Sequence, residues 1–233
     1  VDLAQGTITF RADSTGSFAD GVSIWTGFGN DTIWIDGAAD RAGVRTITAL
    51  NTGLGDDKVY VDLQASEANS ATDTTDGLLV LNTQGPWNNY PAISDRDEVI
   101  GTGSGTRPGA LVATSFASTA QLVAFGGQDN DIITGGAGDD ILFGDRGRMI
   151  RYEVVAGVTT ARVVEQQGGG GPGDIADGLD RLPDQFVSVD PTVGGDDTIH
   201  GLAGNNIIVG GAGADKIDVE AGNDIIAGDN AQI

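Results

Sequence analysis

A nine-residue repeat constrains the fold of this chain more than any other feature of its sequence. Residues 192–227 divide into four consecutive nines: TVGGDDTIH, GLAGNNIIV, GGAGADKID and VEAGNDIIA. Glycine always holds the fourth place, Asp or Asn the sixth, and Ile the eighth. Glycine suits a turn because it accepts positive φ without a Cβ clash, and β-branched residues favour a pleated strand. Each nine therefore predicts a six-residue turn followed by a three-residue strand.

The repeat predicts a parallel solenoid in which two nines close one coil. Unit n then stacks on unit n+2, and the eighth-place side chains form an apolar column inside the coil. In this phase Asp197 stacks on Asp215, and Asn206 stacks on Asp224. The predicted fold class is all-β: a parallel β-roll, or β-solenoid, of stacked two-strand coils with Ca²⁺ between the turns and irregular loop insertions.

Calcium enters this prediction through the sixth place. Stacked turns bring carboxylates and backbone carbonyls together without a counter-charge, and Ca²⁺ takes ~6–8 such hard oxygen ligands in a tolerant geometry. Several Ca²⁺ ions are therefore expected. Asn206 supplies a neutral oxygen, so its site is expected to be weaker or differently filled. The alternative is a solenoid whose turns merely prefer Asp and Gly, but Asp is held to one place in the nine.

The same turn chemistry recurs outside the four nines. TGFGNDTIWID at 26–36 and TGLGDDKVYVD at 52–62 place Asp31 near Asp57, DRDEVIG at 95–101 aligns with both, and 126–143 adds two direct copies. The half-turns 144–148 and 228–231 are expected to close sites on Asp131 and Asp215. The predicted metal ligands are Asp31, Asp57, Asp97, Asp131, Asp140, Asp145, Asp197, Asn206, Asp215, Asp224 and Asp229, of which Asp97, Asp145 and Asp229 are inferred only from stacking.

The chain is predicted to be one elongated roll over 1–233. Longer irregular coils cover 1–120, a first nonapeptide block 121–148, an insertion 149–191 and a second block 192–233. The insertion is too short and too polar to bury a core of its own. The further strands that we expect are a hairpin of 149–155 and 159–165, a strand at 185–189 that re-enters the roll, and strands at 110–114 and 121–125. Because the chain begins at Val1 and ends mid-pattern, it is expected to be a segment of a longer array.

Composition excludes several classes of function. The net charge is −22, from 34 acidic and 12 basic residues, which argues against nucleic acid and anionic membrane surfaces as partners. The chain has no Cys, so it forms neither disulfides nor thiolate metal sites. No apolar run approaches the ~20 residues of a membrane-spanning helix.

No catalytic motif is present, and we expect no enzyme. The one histidine, His200, holds a ninth place and is expected on the outer surface. The chain contains no H-E-x-x-H zinc motif, no G-x-S-x-G nucleophile elbow and no phosphate loop. Carboxylate pairs could serve acid–base chemistry, but their regular period favours metal binding.

The third nine, Gly210–Asp218, fits G-G-x-G-x-D-x-U-x at every place, so the chain resembles RTX (repeats-in-toxin) proteins with hemolysin-type repeats. The closing turns and VDPTVGGDDTI at 189–199 are similar to very large repetitive bacterial RTX proteins. This resemblance implies export and folding outside the cell on ~10⁻⁴–10⁻³ M Ca²⁺. We therefore expect a structural role at the bacterial cell surface, as a stalk, matrix or filament element, and longitudinal stacking would let copies extend one another end to end. The alternatives are a folding module of a secreted enzyme or toxin, or an adhesin that uses Trp87, Tyr90 or the insertion.

Overall fold

Among the residues that the computed structural model describes, every regular element is a β-strand. These residues are 21–36, 40–41, 44–45, 47–65, 77–83, 93–106, 111–153, 162–168 and 183–233. In chain order the strands are β1 (Val22–Phe28), β2 (Thr32–Ile35), β3 (Asp40–Arg41), β4 (Val44–Arg45), β5 (Ile47–Leu54), β6 (Lys58–Val61), β7 (Leu78–Asn82), β8 (Glu98–Ile100), β9 (Thr102–Gly105), β10 (Thr114–Ala117), β11 (Leu122–Gly127), β12 (Ile132–Thr134), β13 (Ile141–Asp145), β14 (Gly147–Glu153), β15 (Arg162–Gly168), β16 (Gln185–Ser188), β17 (Thr198–Leu202), β18 (Ile207–Gly211), β19 (Lys216–Val219) and β20 (Ile225–Asp229).

Two parallel sheets form the body of the molecule. Sheet A has seven strands in the order β1-β5-β7-β11-β13-β18-β20, and sheet B has six in the order β2-β6-β8-β12-β17-β19. The chain alternates between the sheets, so each coil contributes one strand to each of them. In the last coils β17 pairs with β19 and β18 pairs with β20, in the register that stacks unit n on unit n+2. The predicted parallel β-roll is confirmed.

The first core lies between the two sheets and contains the eighth-place column. Val59, Val99, Ile133 and Ile199 of sheet B are 0–1 % exposed and pack against apolar residues of sheet A. The side chains of the seventh and ninth places point outward because successive residues of a strand face opposite sides. The alternation of outward and inward side chains in each three-residue strand therefore directs the eighth-place residue into this core.

A second core covers the outer face of sheet A. Strands β14, β15 and β16 form an antiparallel three-stranded sheet, and its Met149 and Phe186 pack with Phe125 and Phe143 of sheet A. The rings of Phe125 and Phe143 lie 5.3 Å apart between centroids. The described strands of the insertion thus bury apolar surface jointly with the roll.

A smaller aromatic cluster covers part of the outer face of sheet B. Trp34 and Tyr60 stack with ring centroids 4.8 Å apart, and Phe116 meets Trp34 edge-on at 5.0 Å. Phe116 lies on β10, which pairs antiparallel with β9. This hairpin holds an aromatic ring over the ninth-place residues of the first two coils.

The structure corrects two predicted strands and leaves other predictions untested. The expected strand at 110–114 is wrong, because β10 begins only at Thr114. The strand at 185–189 does not re-enter the roll; as β16 it pairs antiparallel with β14. The predicted hairpin is present as β14 and β15. Trp87 and Tyr90 lie outside the described residues.

Two isoleucines at the same place of the nine test the role of the column. Ile199 is fully buried, whereas Ile226 is 48 % exposed. Ile199→Ala is expected to lower the free energy of unfolding by ~2–5 kcal/mol, the usual cost of truncating a buried side chain. Ile226→Ala is expected to cost well under that. Urea unfolding at saturating CaCl₂ measures both values, and equal losses would contradict the assignment of the column to the core.

Candidate metal sites along the turns

The turns that lead from sheet A to sheet B form one side of the roll, which we call the first edge. The sixth-place carboxylates of six successive coils stack there in one column. Each backbone N–H donates to Oδ1 of the Asp in the following coil, at N–O distances of 2.7–3.0 Å. The members of this first-edge column are Asp31, Asp57, Asp97, Asp131, Asp197 and Asp215.

The second oxygen of each carboxylate in the column distinguishes this edge. Within the described part of the chain, Oδ2 of all six residues is buried and has no hydrogen-bond partner. Burying a polar atom without a partner costs free energy, and an unpaired charge costs far more. A row of such oxygens is therefore stable only when protons or cations neutralise it.

Backbone carbonyls converge on the same oxygens. A Cβ added to Gly144 would overlap Oδ2 of Asp197 and lie 2.5 Å from the carbonyl oxygen of Gly210. First-place glycine is required here because the carboxylate and the next coil's carbonyl approach its Cα closely. The same arrangement recurs at two further turns: Gly126 with Asp131 and Gly144, and Gly210 with Asp215 and Gly228.

The electrostatics of the first edge follow from burial and like charge. Burial raises the pKa of Asp131 well above its usual value, and the charges of Asp97 and Asp197 raise it further. Burial also raises the pKa of Asp197 to about 8, opposed by the hydrogen bond from the backbone of Asp131. The folded column therefore favours bound protons, or a cation in their place, over free carboxylates.

The donor set fits a hard cation that binds backbone oxygen as well as carboxylate. Among the described residues, no group of three or more His, Cys, Asp or Glu side chains could hold a metal ion. Any cation at the first edge must therefore draw on carbonyls such as those of Gly144, Gly210 and Gly228. Mixed carboxylate and carbonyl coordination is the chemistry of Ca²⁺ rather than of zinc or copper.

The turns that lead from sheet B back to sheet A form the second edge. Asn206 and Asp224 stack there at the sixth place, as predicted, and Asp140 extends the stack. The N–H of Asp140 donates to Oδ1 of Asn206 at 2.9 Å, and the N–H of Asn206 donates to Oδ1 of Asp224 at 2.9 Å. Oδ1 and Oδ2 of Asp140 accept from the N–H groups of Leu122 and Gly136, both at 2.8 Å. Protein donors therefore satisfy Asp140, in contrast to the first edge.

Asp145 and Asp229 occupy the second place of a turn, not the sixth. Asp145 accepts hydrogen bonds from the N–H groups of Gly195, at 3.1 Å, and of Ala212. The group that faces Asp131 is the carbonyl of Gly144 rather than the Asp145 side chain. Asp229 is exposed and pairs in register with Gly211 of the preceding coil.

The first-edge turn at Asp145 is split. Gly144 and Asp145 form its first half, and Gly195 to Asp197 form its second half after the insertion. The hydrogen bond from the N–H of Gly195 to Oδ1 of Asp145 joins the two halves, although these residues lie 50 apart in sequence. Arg146 follows with a guanidinium that is 1 % exposed, and its Nη1 donates to Oδ2 of Asp190 at 3.2 Å. Burial raises the pKa of Asp145 to about 7, opposed by the hydrogen bonds from the backbone of Ala212 and Gly195 and, least, by the positive charge of Arg146.

Sequence reasoning missed Asp95 as a member of the first edge. Asp95 is fully buried, its Oδ1 accepts from the N–H of Gly55 at 2.9 Å, and burial raises its pKa to about 7. It occupies the fourth place, where the other turns carry Gly or Asp129. The alignment of 95–101 with 55–61 contains this signal, because it sets Asp95 opposite Gly55.

A parallel β-roll with a carboxylate column along its turns defines a repeat protein with candidate cation sites between its coils. Residues 123–148 and 192–226 match the family model of the RTX calcium-binding nonapeptide repeat (4 copies). The chain therefore carries RTX repeats, and the resemblance seen in the sequence is confirmed. The RTX repeat is a structural calcium-binding element rather than a catalytic one. No curated protein and no solved structure matches the chain.

The part of the chain that the structure describes contains no helix long and apolar enough to cross a membrane.

Proposed function

We propose that the chain is a calcium-binding structural segment of a secreted or cell-surface bacterial protein, without a catalytic role of its own. It folds on Ca²⁺ outside the cell and acts as a stalk, matrix or filament element. The observation that supports this proposal is the first-edge column, whose six buried Oδ2 atoms lack partners within the described residues.

Calcium would act as the counter-charge that the sequence does not provide. The chain carries a net charge of −22, and self-repulsion of this size opposes compaction. The first-edge residues that would hold the ions are the six members of the column, together with carbonyls such as that of Gly210. Ions between coils would tie each coil to the next along the length of the roll.

Extracellular folding follows from the affinity such sites need. Open, repeated sites of ~10⁻⁴–10⁻³ M remain empty at low cytosolic Ca²⁺ and fill outside the cell. Because the ligands come together only in the folded coil, metal binding and folding are one equilibrium. The resemblance to large RTX surface proteins supports the same location.

End-to-end self-association belongs to the same proposal. Strands β19 and β20 are terminal strands of sheets B and A. Ile225 and Ile226 of β20 are about half-exposed. Open parallel edges with apolar side chains can pair with another coil. We therefore expect a second copy to extend the roll by pairing with β19 and β20.

The proposal is tested by titrating CaCl₂ into the calcium-stripped chain and following far-UV circular dichroism. We expect a transition from coil to β structure on the order of 10⁻⁴–10⁻³ M Ca²⁺. MgCl₂ is the control, because Mg²⁺ demands octahedral geometry and keeps its waters. Full β structure without Ca²⁺ and no response to its addition would overturn the proposal.

A further inference from the structure

We infer that the second-edge turn 201–206 takes no calcium ion, because the side-chain amide of Asn206 stands where the ion would bind. Calcium then binds unevenly in the roll. The first-edge turns of these coils bind ions, whereas protein hydrogen bonds satisfy the second-edge turn 201–206. This inference rests on the proposed function, since it concerns which turns of a calcium-binding roll are filled.

The close surroundings of the first-place glycine differ between Gly144 on the first edge and Gly201 on the second. At Gly144 on the first edge, an added Cβ would meet only oxygen ligands, Oδ2 of Asp197 and the carbonyl oxygen of Gly210, among its nearest groups. At Gly201 on the second edge, it would meet the methyl carbons of Ile208 and Val219 at 2.7 and 2.9 Å, and Nδ2 of Asn206 at 3.3 Å. The position beside Gly201 is thus lined by carbon and by a hydrogen-bond donor. At Gly135, also on the second edge, an added Cβ would instead meet Oδ2 of Asp140 and the carbonyl oxygen of Gly201.

The Asn206 amide already pairs with the oxygens of its own turn. Its Nδ2 donates to the carbonyl oxygens of Gly201 at 3.4 Å and Gly204 at 3.5 Å, and to Oδ1 of Asp224 at 3.1 Å. An amide N–H₂ group is a donor and cannot ligate a cation. The side chain therefore supplies the partial positive charge that these oxygens would otherwise take from a metal.

The neighbouring backbone fixes the orientation of the amide. Oδ1 of Asn206 accepts from the N–H of Asp140 at 2.9 Å. Rotating the amide by half a turn would set its N–H₂ group against that N–H and its oxygen against the three acceptors. Asn206 is also fully buried, so water cannot compensate for the lost bonds. The amide nitrogen consequently remains directed at the carbonyls.

The variant Asn206→Asp tests this inference by restoring a carboxylate at the sixth place. Bound calcium is counted by equilibrium dialysis at saturating CaCl₂ and checked by native mass spectrometry. We expect Asn206→Asp to bind one more ion per chain than the wild type. The matched first-edge change, Asp197→Asn, is expected to bind at least one ion fewer. Equal stoichiometry of Asn206→Asp and the wild type would overturn the inference.

Two further results keep the inference separate from the proposed function. A wild-type chain that binds no calcium contradicts the proposed function, whatever Asn206 does. If Asn206→Asp does not fold, crystals of the wild type grown in CaCl₂ decide the question by anomalous scattering from calcium. Peaks at Asp197 and Asp215 without one between Gly201 and Asn206 support the inference, and a peak at the Asn206 turn refutes it.

Discussion

Replacing Gly144 with alanine is expected to raise the calcium concentration at the folding midpoint by about tenfold. The new methyl group would overlap Oδ2 of Asp197 and press on the carbonyl of Gly210, 2.5 Å away. Extra methyl groups in tightly packed sites cost ~1–3 kcal/mol, and ~1.4 kcal/mol corresponds to a factor of ten. Because the displaced groups are the proposed ligands, one bound ion should also be lost. Calcium titrations by circular dichroism and by dialysis measure the two effects.

Gly228→Ala is the matched control for this change. Gly228 also holds the first place of a first-edge turn, but an added Cβ meets no heavy atom within 4 Å. Neither glycine has positive φ, so backbone strain does not separate the two substitutions. Both also lose the same unfolded-state entropy. The Gly228 variant should therefore keep the wild-type midpoint, and similar shifts in both variants would show that the methyl group does not act through the carboxylate column.

The regular part of the roll could be predicted because local pattern and long-range packing impose the same period. Every eighth-place residue from Val59 to Ile208 that the repeat pointed inward is buried. The register of the last coils followed from one assumption, that two nines close a coil. The stacking of Asp31 on Asp57 did not need that assumption, because this coil is longer than two nines. It followed from the glycine and aspartate places that both turns keep.

The irregular part depends on contacts that leave little trace in a local pattern. Strand β9 has the sequence TGSG, which shows no apolar alternation. Its partner β10 carries Phe116, which contacts Trp34 and Tyr60 of distant coils. Met149 and Phe186 pack on sheet A from an insertion of mostly polar composition. The sequence pattern gave no reason to expect an apolar outer face on sheet A.

The candidate site was predictable in its residue types but not in its charge state. The sixth-place rule identified five of the six members of the first-edge column, and stacking added Asp97. It did not distinguish Asp140, whose two oxygens accept backbone N–H groups, from Asp197, whose Oδ2 lacks a partner. It also missed Asp95 and the buried side chain of Arg146. The long connection before Asp95 and the insertion after Arg146 interrupt the nine-residue pattern at these turns. Hydrogen-bond partners across a split turn are properties of the folded coil.

Acid is expected to replace calcium in part, so the metal-free chain should gain β structure as the pH falls from about 8 to 5. Burial raises the pKa of Asp197 to about 8 and that of Asp95 to about 7, and it raises the pKa of Asp131 well above its usual value. A carboxyl group in the unfolded chain titrates near a pKa of about 3.9. Between these values the folded chain binds more protons than the unfolded chain.

The sign of the effect follows from this difference in bound protons. Stability from a group with a raised folded-state pKa is fully present below the unfolded-state pKa and is lost as pH rises through the folded-state pKa. The metal-free roll should therefore lose stability from about pH 4 up to about pH 8. Circular dichroism of the calcium-stripped chain across this range measures the effect. A metal-free chain with the same β content at pH 5 and pH 8 would contradict it.

Calcium binding should show the opposite dependence, because the ion and the protons compete for the same oxygens. The Ca²⁺ midpoint should rise as the pH falls from 8 to 6, with release of protons on binding. Asp197→Asn carries a permanently neutral side chain, so at pH 7 without metal it should contain more β structure than the wild type. Asp196→Asn removes the same charge from an exposed side chain one residue away. It should shift the pH profile much less, because burial is the main cause of the raised pKa of Asp197 and the charge of Asp196 is a minor one. Equal behaviour of the two variants would mean that net charge, rather than the buried column, controls folding.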